Sequence, residues 1–211
     1  NLPYKGIWKD ALRPTTGMPE GSSYGAYATS NATRTNVVYA GANDGLLHGF
    51  RAGAYDSSGN FNTAAANDGN ELLAYMPAQA LNTIHATPAA AASLDYSSSQ
   101  YSHNAFVDAT PGTGDLYYQG SWHTWLAGGL GDGGNAGGVI GDNTTVATGG
   151  LYVLDVTNPG NFSEANAASL VIGDWTSTSA SLTCPTDTAS TFCRDNLGST
   201  YGTPIIRRLH D

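Results

Sequence analysis

Residues able to do acid–base chemistry come closest together at Asn43, Asp44 and His48, where a carboxylate and an imidazole are four positions apart. Asp155 could supply the second carboxylate of an acid and base pair. A structural role explains both aspartates better, because an aspartate readily bonds its own backbone in a turn. We therefore predict no catalytic residue, and we assign a chain-reversing role at strand ends to Asn43, Asp44, Gly45 and Asp155.

The two cysteines, Cys184 and Cys193, are separated by eight mostly polar residues. A disulfide could close this loop with little strain, and the alternative is a pair of unrelated reduced thiols. Two cysteines alone cannot fill a four-ligand structural zinc site. We predict the disulfide between Cys184 and Cys193, which implies an oxidising, exported location.

Two glycine motifs have the spacing of catalytic or cofactor loops. Gly129, Gly131 and Gly134 match a dinucleotide-binding loop, but that chemistry needs a helix N-terminus facing the pyrophosphate, and more glycine follows instead. Residues 21–25 match the pattern around a nucleophilic serine, again without a predicted helix after it. We interpret both motifs as plain loops and predict no bound cofactor in this segment.

Metal and sugar binding are weakly indicated. Residues 128–132 are similar to a calcium-binding repeat, with Asp132, Asp142 and Asn143 as candidate oxygens, but the repeat occurs once and its aspartate is one place early. The five histidines lack metal-ligand spacing. Four tryptophans could fill space between sheets or form a platform for glycans; they are Trp8, Trp122, Trp125 and Trp175.

Composition restricts the class of protein. Of 211 residues, 27 are glycine, and only 12% are charged, with a net charge of -9. Short β-branched or aromatic runs bounded by Gly, Asn, Asp and Pro recur, so the fold class is mainly β. The chain lacks the basic surface that nucleic acid needs, and no apolar run is long enough to span a membrane.

The elements that must position these residues repeat along the chain. Residues 37–50 predict a hairpin whose Asp-Gly pair makes a two-residue turn, and residues 71–76 predict a third strand. A strand ending in Ala-Gly, a glycine-rich linker and an apolar strand recur at 125–129 and 150–156. One or two short helices are predicted within 78–95. Further strands are predicted at 105–107, 115–118, 122–127, 170–175 and 203–209.

Such a repeat is typical of β-propeller blades, in which each antiparallel sheet buries its faces against neighbouring blades. We predict an irregular lead-in at residues 1–33 and the first two to three blades at 34–211. A closed propeller needs far more chain than this, so we expect the sequence to be a fragment of a longer protein. The rest of that propeller is then one expected partner.

The ordered motifs resemble those of the PilY family, in its C-terminal propeller region, from about residue 34 onward. Each motif alone is an ordinary propeller hairpin, but their order is specific. The resemblance is carried by VVYAGANDGLLHGF at 37–50 and by residues 71–77, 106–108, 122–131, 151–159 and 197–204.

The resemblance implies a partial, quinoprotein-like propeller in an exported protein at the pilus tip or bacterial cell surface. It implies type IV pilus assembly and adhesion, with pilus minor subunits and host or abiotic surfaces as partners. The family also has a calcium loop of alternating Asp and Asn, and no stretch here has that spacing. Calcium binding is therefore expected only of a full-length relative.

We expect the protein not to be an enzyme. The alternatives are a quinone-cofactor dehydrogenase that shares the propeller fold, and a calcium-binding or glycan-binding propeller module.

Overall fold

The computed structural model describes residues 23–84, 105–134, 149–176 and 197–207, together with Ser99, Tyr101 and His103. Two antiparallel meanders dominate it. Sheet 1 has three strands in the order β1-β2-β3, and sheet 2 has four in the order β4-β5-β6-β7. The prediction of a mainly β, partial propeller is confirmed, with two blades in the described residues.

Sheet 1 consists of β1 (Val37–Gly41), β2 (Leu47–Arg51) and β3 (Glu71–Tyr75). The predicted two-residue turn between β1 and β2 is wrong. The Ala42 N–H donates to the Leu46 carbonyl at 3.0 Å, so three residues form the loop. Within this loop only Gly45 has a positive φ, of 95°, which is the geometry of a turn followed by a glycine bulge. The Asn43 side chain bonds the Phe106 N–H outside the hairpin, while Asp44 bonds the Leu46 N–H inside it, and both bonds favour the longer loop.

Sheet 2 consists of β4 (Gly112–Tyr118), β5 (Ser121–Gly129), β6 (Gly150–Asp155) and β7 (Val171–Thr176). The two-residue turn joins β4 to β5, where Gln119 and Gly120 have φ of 47° and 88°. Positive φ at both positions is the geometry that matches the twist of paired strands. The predicted strand at 105–107 is not formed, because these residues cross between the sheets and pair with no strand.

The core lies between the two sheets. Alternate residues of β5 point inward, so that Trp122, Thr124 and Leu126 are buried while their neighbours are partly exposed. Leu126 packs in one cluster with Leu47 of β2 and Tyr152 of β6. Each sheet therefore covers the apolar face of the other, as adjacent propeller blades do.

Three short helices occur in the part of the chain that the structure describes. Helix α1 (Tyr24–Ser30) occupies part of the predicted irregular lead-in, and it forms because Tyr24 and Tyr27 are anchored on β4 and β5. Helix α2 (Ala78–Ile84) confirms the first predicted helical piece; residues 85–95 lie outside the described residues. Helix α3 (Ala167–Leu170) follows two 3-10 turns in the connection from β6 to β7.

Residues 197–207 run across the face of sheet 2 that is turned away from sheet 1. Thr200 pairs with Gly131, and an added side chain at Gly112 would overlap the Pro204 carbonyl. The predicted strand at 203–209 is not formed over its described part, because residues 203–207 have no strand beside them to pair with. They lie flat on β4 instead.

Candidate functional site

Among the polar residues named from the sequence, Asn43 lies at the seam between the two sheets. The Asn43 side chain accepts a hydrogen bond from the Phe106 N–H at 3.2 Å, and the Ala42 carbonyl accepts one from Val107 at 3.3 Å. Gly41 lies directly beneath, where a Cβ would overlap the Val107 carbonyl. The β1–β2 turn thus clamps the segment that enters sheet 2.

The same clamp recurs one repeat later. Thr200 crosses β5 at Gly129, where an added Cβ would lie 2.6 Å from the Thr200 carbonyl oxygen. The Thr200 hydroxyl accepts from the Leu130 N–H at 2.8 Å and donates to the Gly150 carbonyl at 3.0 Å. The two crossing residues, Val107 and Thr200, each lie three positions before a Thr-Pro pair, at 110–111 and 203–204. The sequence repeat is therefore also a repeat of contacts between chain segments.

Asp44 and His48 do meet, together with Glu71, on the solvent side of sheet 1. Asp44 accepts from the Leu46 N–H at 3.0 Å and contacts His48 Nε2 at 2.9 Å, while Glu71 bonds His48 Nδ1. A neutral imidazole has one N–H, so only the imidazolium satisfies both carboxylates. The hydrogen bond to Glu71, more than the one to Asp44, raises the pKa of His48.

Asp155 repeats this pattern at the end of β6. One oxygen accepts from the Thr157 N–H at 2.9 Å, and the other accepts from His123 Nδ1 at 2.7 Å. The second ring nitrogen of His123 bonds the Ser121 hydroxyl at 2.8 Å. Asp44 lies in the β1–β2 loop of sheet 1, and Asp155 ends β6 of sheet 2. Because the two residues belong to separate turns, they form no acid and base pair.

A buried carboxylate that sequence analysis missed lies at the centre of sheet 2. Asp115 accepts from the Tyr24 hydroxyl at 2.8 Å and from the Thr124 hydroxyl at 2.6 Å. Thr124 donates its only hydroxyl hydrogen to Asp115. The Tyr27 hydroxyl and the Arg34 guanidinium therefore donate to the Thr124 oxygen, at 2.6 and 2.9 Å. The network fastens α1 and the approach to β1 onto sheet 2.

The tyrosines of the seam are held as protonated donors. Burial first, and the bond to Asp115 second, raise the pKa of Tyr24 well above its ordinary value. Burial and the bond to Asp174 of β7 do the same for the pKa of Tyr75 at the end of β3. Asp174 also accepts from the Ala78 N–H at 2.7 Å. The outer strands of the two sheets are thereby linked.

No pattern in the sequence marks Asp115 or Asp174, because each stands singly in a strand and accepts a bond from a tyrosine that is 91 or 99 residues away. Cys184 and Cys193 lie outside the described residues, as do Asp142 and Asn143, so the disulfide stays a prediction. Within the described residues, no group of three or more His, Cys, Asp or Glu side chains could hold a metal ion. None of the described helices has the length and hydropathy to cross a bilayer.

Fold and seam together define a segment of a β-propeller in which polar side chains join one blade to the next. The family model described as the PilY1 beta-propeller domain matches residues 14–211. A type IV pilus biogenesis factor PilY1 homolog from Xylella fastidiosa is 29% identical over 99% of this chain and 12% of its own length. The type IV pilus biogenesis factor PilY1 of Pseudomonas aeruginosa is 34% identical over 68% of this chain and 9% of its own length.

The chain belongs to the PilY1 β-propeller domain family. Among solved structures, the C-terminal domain of Pseudomonas aeruginosa PilY1 is 30% identical, with a TM-score of 0.42, over 72% of this chain and 21% of that one. This chain spans about a tenth of the length of the curated relatives that it matches. The resemblance inferred from the ordered motifs is confirmed.

Proposed function

We propose that this chain is part of an exported, non-enzymatic component of the type IV pilus machinery, which acts at the pilus tip in assembly and surface adhesion. The observation that carries the proposal is the family match over residues 14–211, since the matched relatives are named type IV pilus biogenesis factors. Its partners are pilus minor subunits, the remainder of its own propeller, and a host or abiotic surface.

The side chains of the seam support a binding role. The carboxylates of Asp44, Asp115, Asp155 and Asp174 each accept hydrogen bonds from backbone, hydroxyl or imidazole groups of the same chain. The bonds of Asp44 and Asp155 fix turns within a sheet, whereas those of Asp115 and Asp174 join segments far apart in the chain. A rigid scaffold of this kind presents loops and strand edges to other proteins. The chemistry of these groups is thus used for positioning.

The pilus role is tested in cells that express the full-length protein with an epitope tag. Pili sheared from the surface are blotted for the tag, and pili are counted by electron microscopy in the wild type, a deletion strain and a complemented strain. We expect the protein in the pilus fraction, and fewer pili after deletion. A strain without pilin is the control for shedding of cell-surface protein. A deletion strain with normal pili, and a protein absent from the sheared fraction, would refute the role.

The non-enzymatic part of the proposal is tested on the purified full-length protein. We expect no absorption band from a bound quinone and no dye-linked oxidation of alcohols or sugars, because propeller fold alone does not confer either. A quinone band together with dye reduction would replace this proposal with a dehydrogenase.

A further inference from the structure

A cavity of about 190 Å³ opens between the outer strand of sheet 1 and the connection from β6 to β7. One wall is β3, and the other is formed mainly by Leu154, Phe162, Ala167 and Leu170. The walls are largely apolar. Cavities of ~150 Å³ with such walls hold a benzene-sized group, so this one has room for a leucine or phenylalanine side chain.

Strand β3 faces the cavity with its backbone edge. Four consecutive residues of β3, at positions 72–75, line the cavity. Successive side chains of a strand point to opposite faces, so consecutive lining residues mean that the backbone edge is presented. In the described part of the chain β3 pairs only with β2, which leaves its other edge without a neighbour. A shift in register at Leu72 leaves residues 73–75 as the regular stretch.

Charge narrows the kind of chain that could occupy this edge. Glu164 lines the cavity and is exposed, and it makes no ion pair within the described residues. Glu71 is the first residue of β3, and its carboxylate is already hydrogen-bonded to His48. Among the described residues that line the cavity there is no lysine or arginine. A basic residue on the incoming chain would therefore meet an uncompensated carboxylate next to the apolar pocket.

We propose that the free edge of β3 and the adjoining cavity bind a short extended segment of a partner protein. The segment adds to sheet 1 through backbone hydrogen bonds, places one large aliphatic side chain in the cavity, and carries a lysine or arginine that faces Glu164. Main-chain bonds supply affinity in this mode of recognition, and pockets for alternate side chains supply specificity. The groove follows from the fold alone and does not depend on a role in pili.

The test uses the purified full-length protein and a fluorescent peptide, Thr-Lys-Val-Leu-Val-Lys-Thr, with blocked ends, in which both Lys residues share a strand face with the central Leu. Binding is followed by fluorescence anisotropy. Three matched peptides carry Glu for both Lys residues, Ala for the central Leu, or N-methyl groups at alternate residues. We expect the first peptide to bind below ~1 mM and each of the others to bind at least tenfold more weakly.

Two matched substitutions on α3 locate the site. Ala167 lines the cavity, whereas Ala168 is exposed and does not. We expect Ala167→Trp to fill the cavity and weaken peptide binding at least tenfold, and Ala168→Trp to leave it unchanged. A third variant, Glu164→Lys, does not touch the core and should reverse the preference between the Lys and Glu peptides, which keeps the test valid if Ala167→Trp fails to fold.

Each of three results would overturn the proposal. One is no binding of the Lys peptide at ~1 mM, which would mean that the edge is covered in the full-length protein. Another is equal binding of the N-methylated peptide, which would exclude strand addition. The third is unchanged peptide preference in Glu164→Lys. None of these outcomes depends on pilus counts, so failure here and failure of the pilus role can be told apart.

Discussion

Asp44 in sheet 1 and Asp115 in sheet 2 both organise hydrogen-bond clusters, but in opposite surroundings. The Asp44 side chain is 50% exposed, and its partners are an imidazolium and a turn N–H. Asp115 is 7% exposed, and its partners include the hydroxyls of Tyr24 and Thr124. The first cluster lies within sheet 1, and the second joins segments about 90 residues apart.

Similar numbers of hydrogen bonds in the two clusters need not contribute equally to stability. Water competes for the groups around Asp44, so losing one bond there costs little. Around Asp115 a lost partner leaves a buried polar atom unsatisfied. We therefore expect the Asp115 network to hold α1 and the approach to β1 on sheet 2, and the exposed Asp44 cluster of sheet 1 to respond to pH.

The largest effect should come from the apolar centre of sheet 2. Leu126 is fully buried, so Leu126→Ala should lower the free energy of unfolding by ~2–5 kcal/mol through lost contacts and a cavity. Leu81→Ala on α2 is the control, because Leu81 is 58% exposed and its truncation should change stability by less than ~0.5 kcal/mol. Urea unfolding of both variants measures the difference. Similar losses would mean that the seam is not the core.

The comparison of the two aspartates is tested directly by Asp115→Ala and Asp44→Ala. The first leaves the Tyr24 and Thr124 hydroxyls without their acceptor and should cost ~1–3 kcal/mol. The second removes exposed contacts and should cost less than ~1 kcal/mol. Thermal unfolding at neutral pH gives both values. Equal destabilisation would contradict the account of the two clusters.

The two segment crossings should be equally intolerant of a side chain. Gly41→Ala and Gly129→Ala each force a methyl group into a backbone carbonyl, at Val107 and Thr200, and should each cost ~1–3 kcal/mol. Gly202→Ala is the control, since nothing lies within 4 Å of a Cβ added there. Denaturant unfolding compares all three. Destabilisation at only one crossing would show that the repeat of contacts is not energetically equivalent.

A smaller effect is expected from His48, in the pH dependence of stability. Its pKa is raised in the folded protein, so its contribution is fully present below the ordinary imidazole pKa of ~6.5. The contribution is lost as the pH rises through the raised value. Stability of the wild type relative to His48→Gln should therefore fall between pH 6 and 9, by less than ~1 kcal/mol. The measurement is the melting temperature of the wild type and of His48→Gln across that range. Parallel curves for the two proteins would contradict a charged cluster at His48.

The smallest expected change is a gain in stability at the β4–β5 turn. Gln119 has a φ of 47°, which asparagine adopts more readily than glutamine. Gln119→Asn should stabilise the protein by ~0.5 kcal/mol, whereas Gln119→Val should destabilise it because a β-branched residue is strained there. Thermal melts of both variants check the sign. Identical melts would indicate that this turn relaxes in solution.

Local residue chemistry was sufficient to predict the strands and much of the turn geometry. Runs of β-branched and aromatic residues led to β1, β2, β3, β5 and β6 within a few residues of their bounds. The Asx bonds of Asp44 and Asp155 lie where a turn role was predicted. The length of the β1–β2 loop was not predictable, because the bond from Phe106 to Asn43 spans 63 residues. Helix α1 was missed for the same reason.

A mainly β chain of repeated strand–turn–strand units follows from residue order alone, since side-chain alternation and turn chemistry act between residues close together along the chain. Which groups meet across the seam depends on the packing of the two sheets. The Asp115 network, the bond from Tyr75 to Asp174, the crossings at Gly41 and Gly129, and the cavity beside β3 all join distant segments. Their geometry depends on how two sheets pack, and no local pattern of residues encodes that.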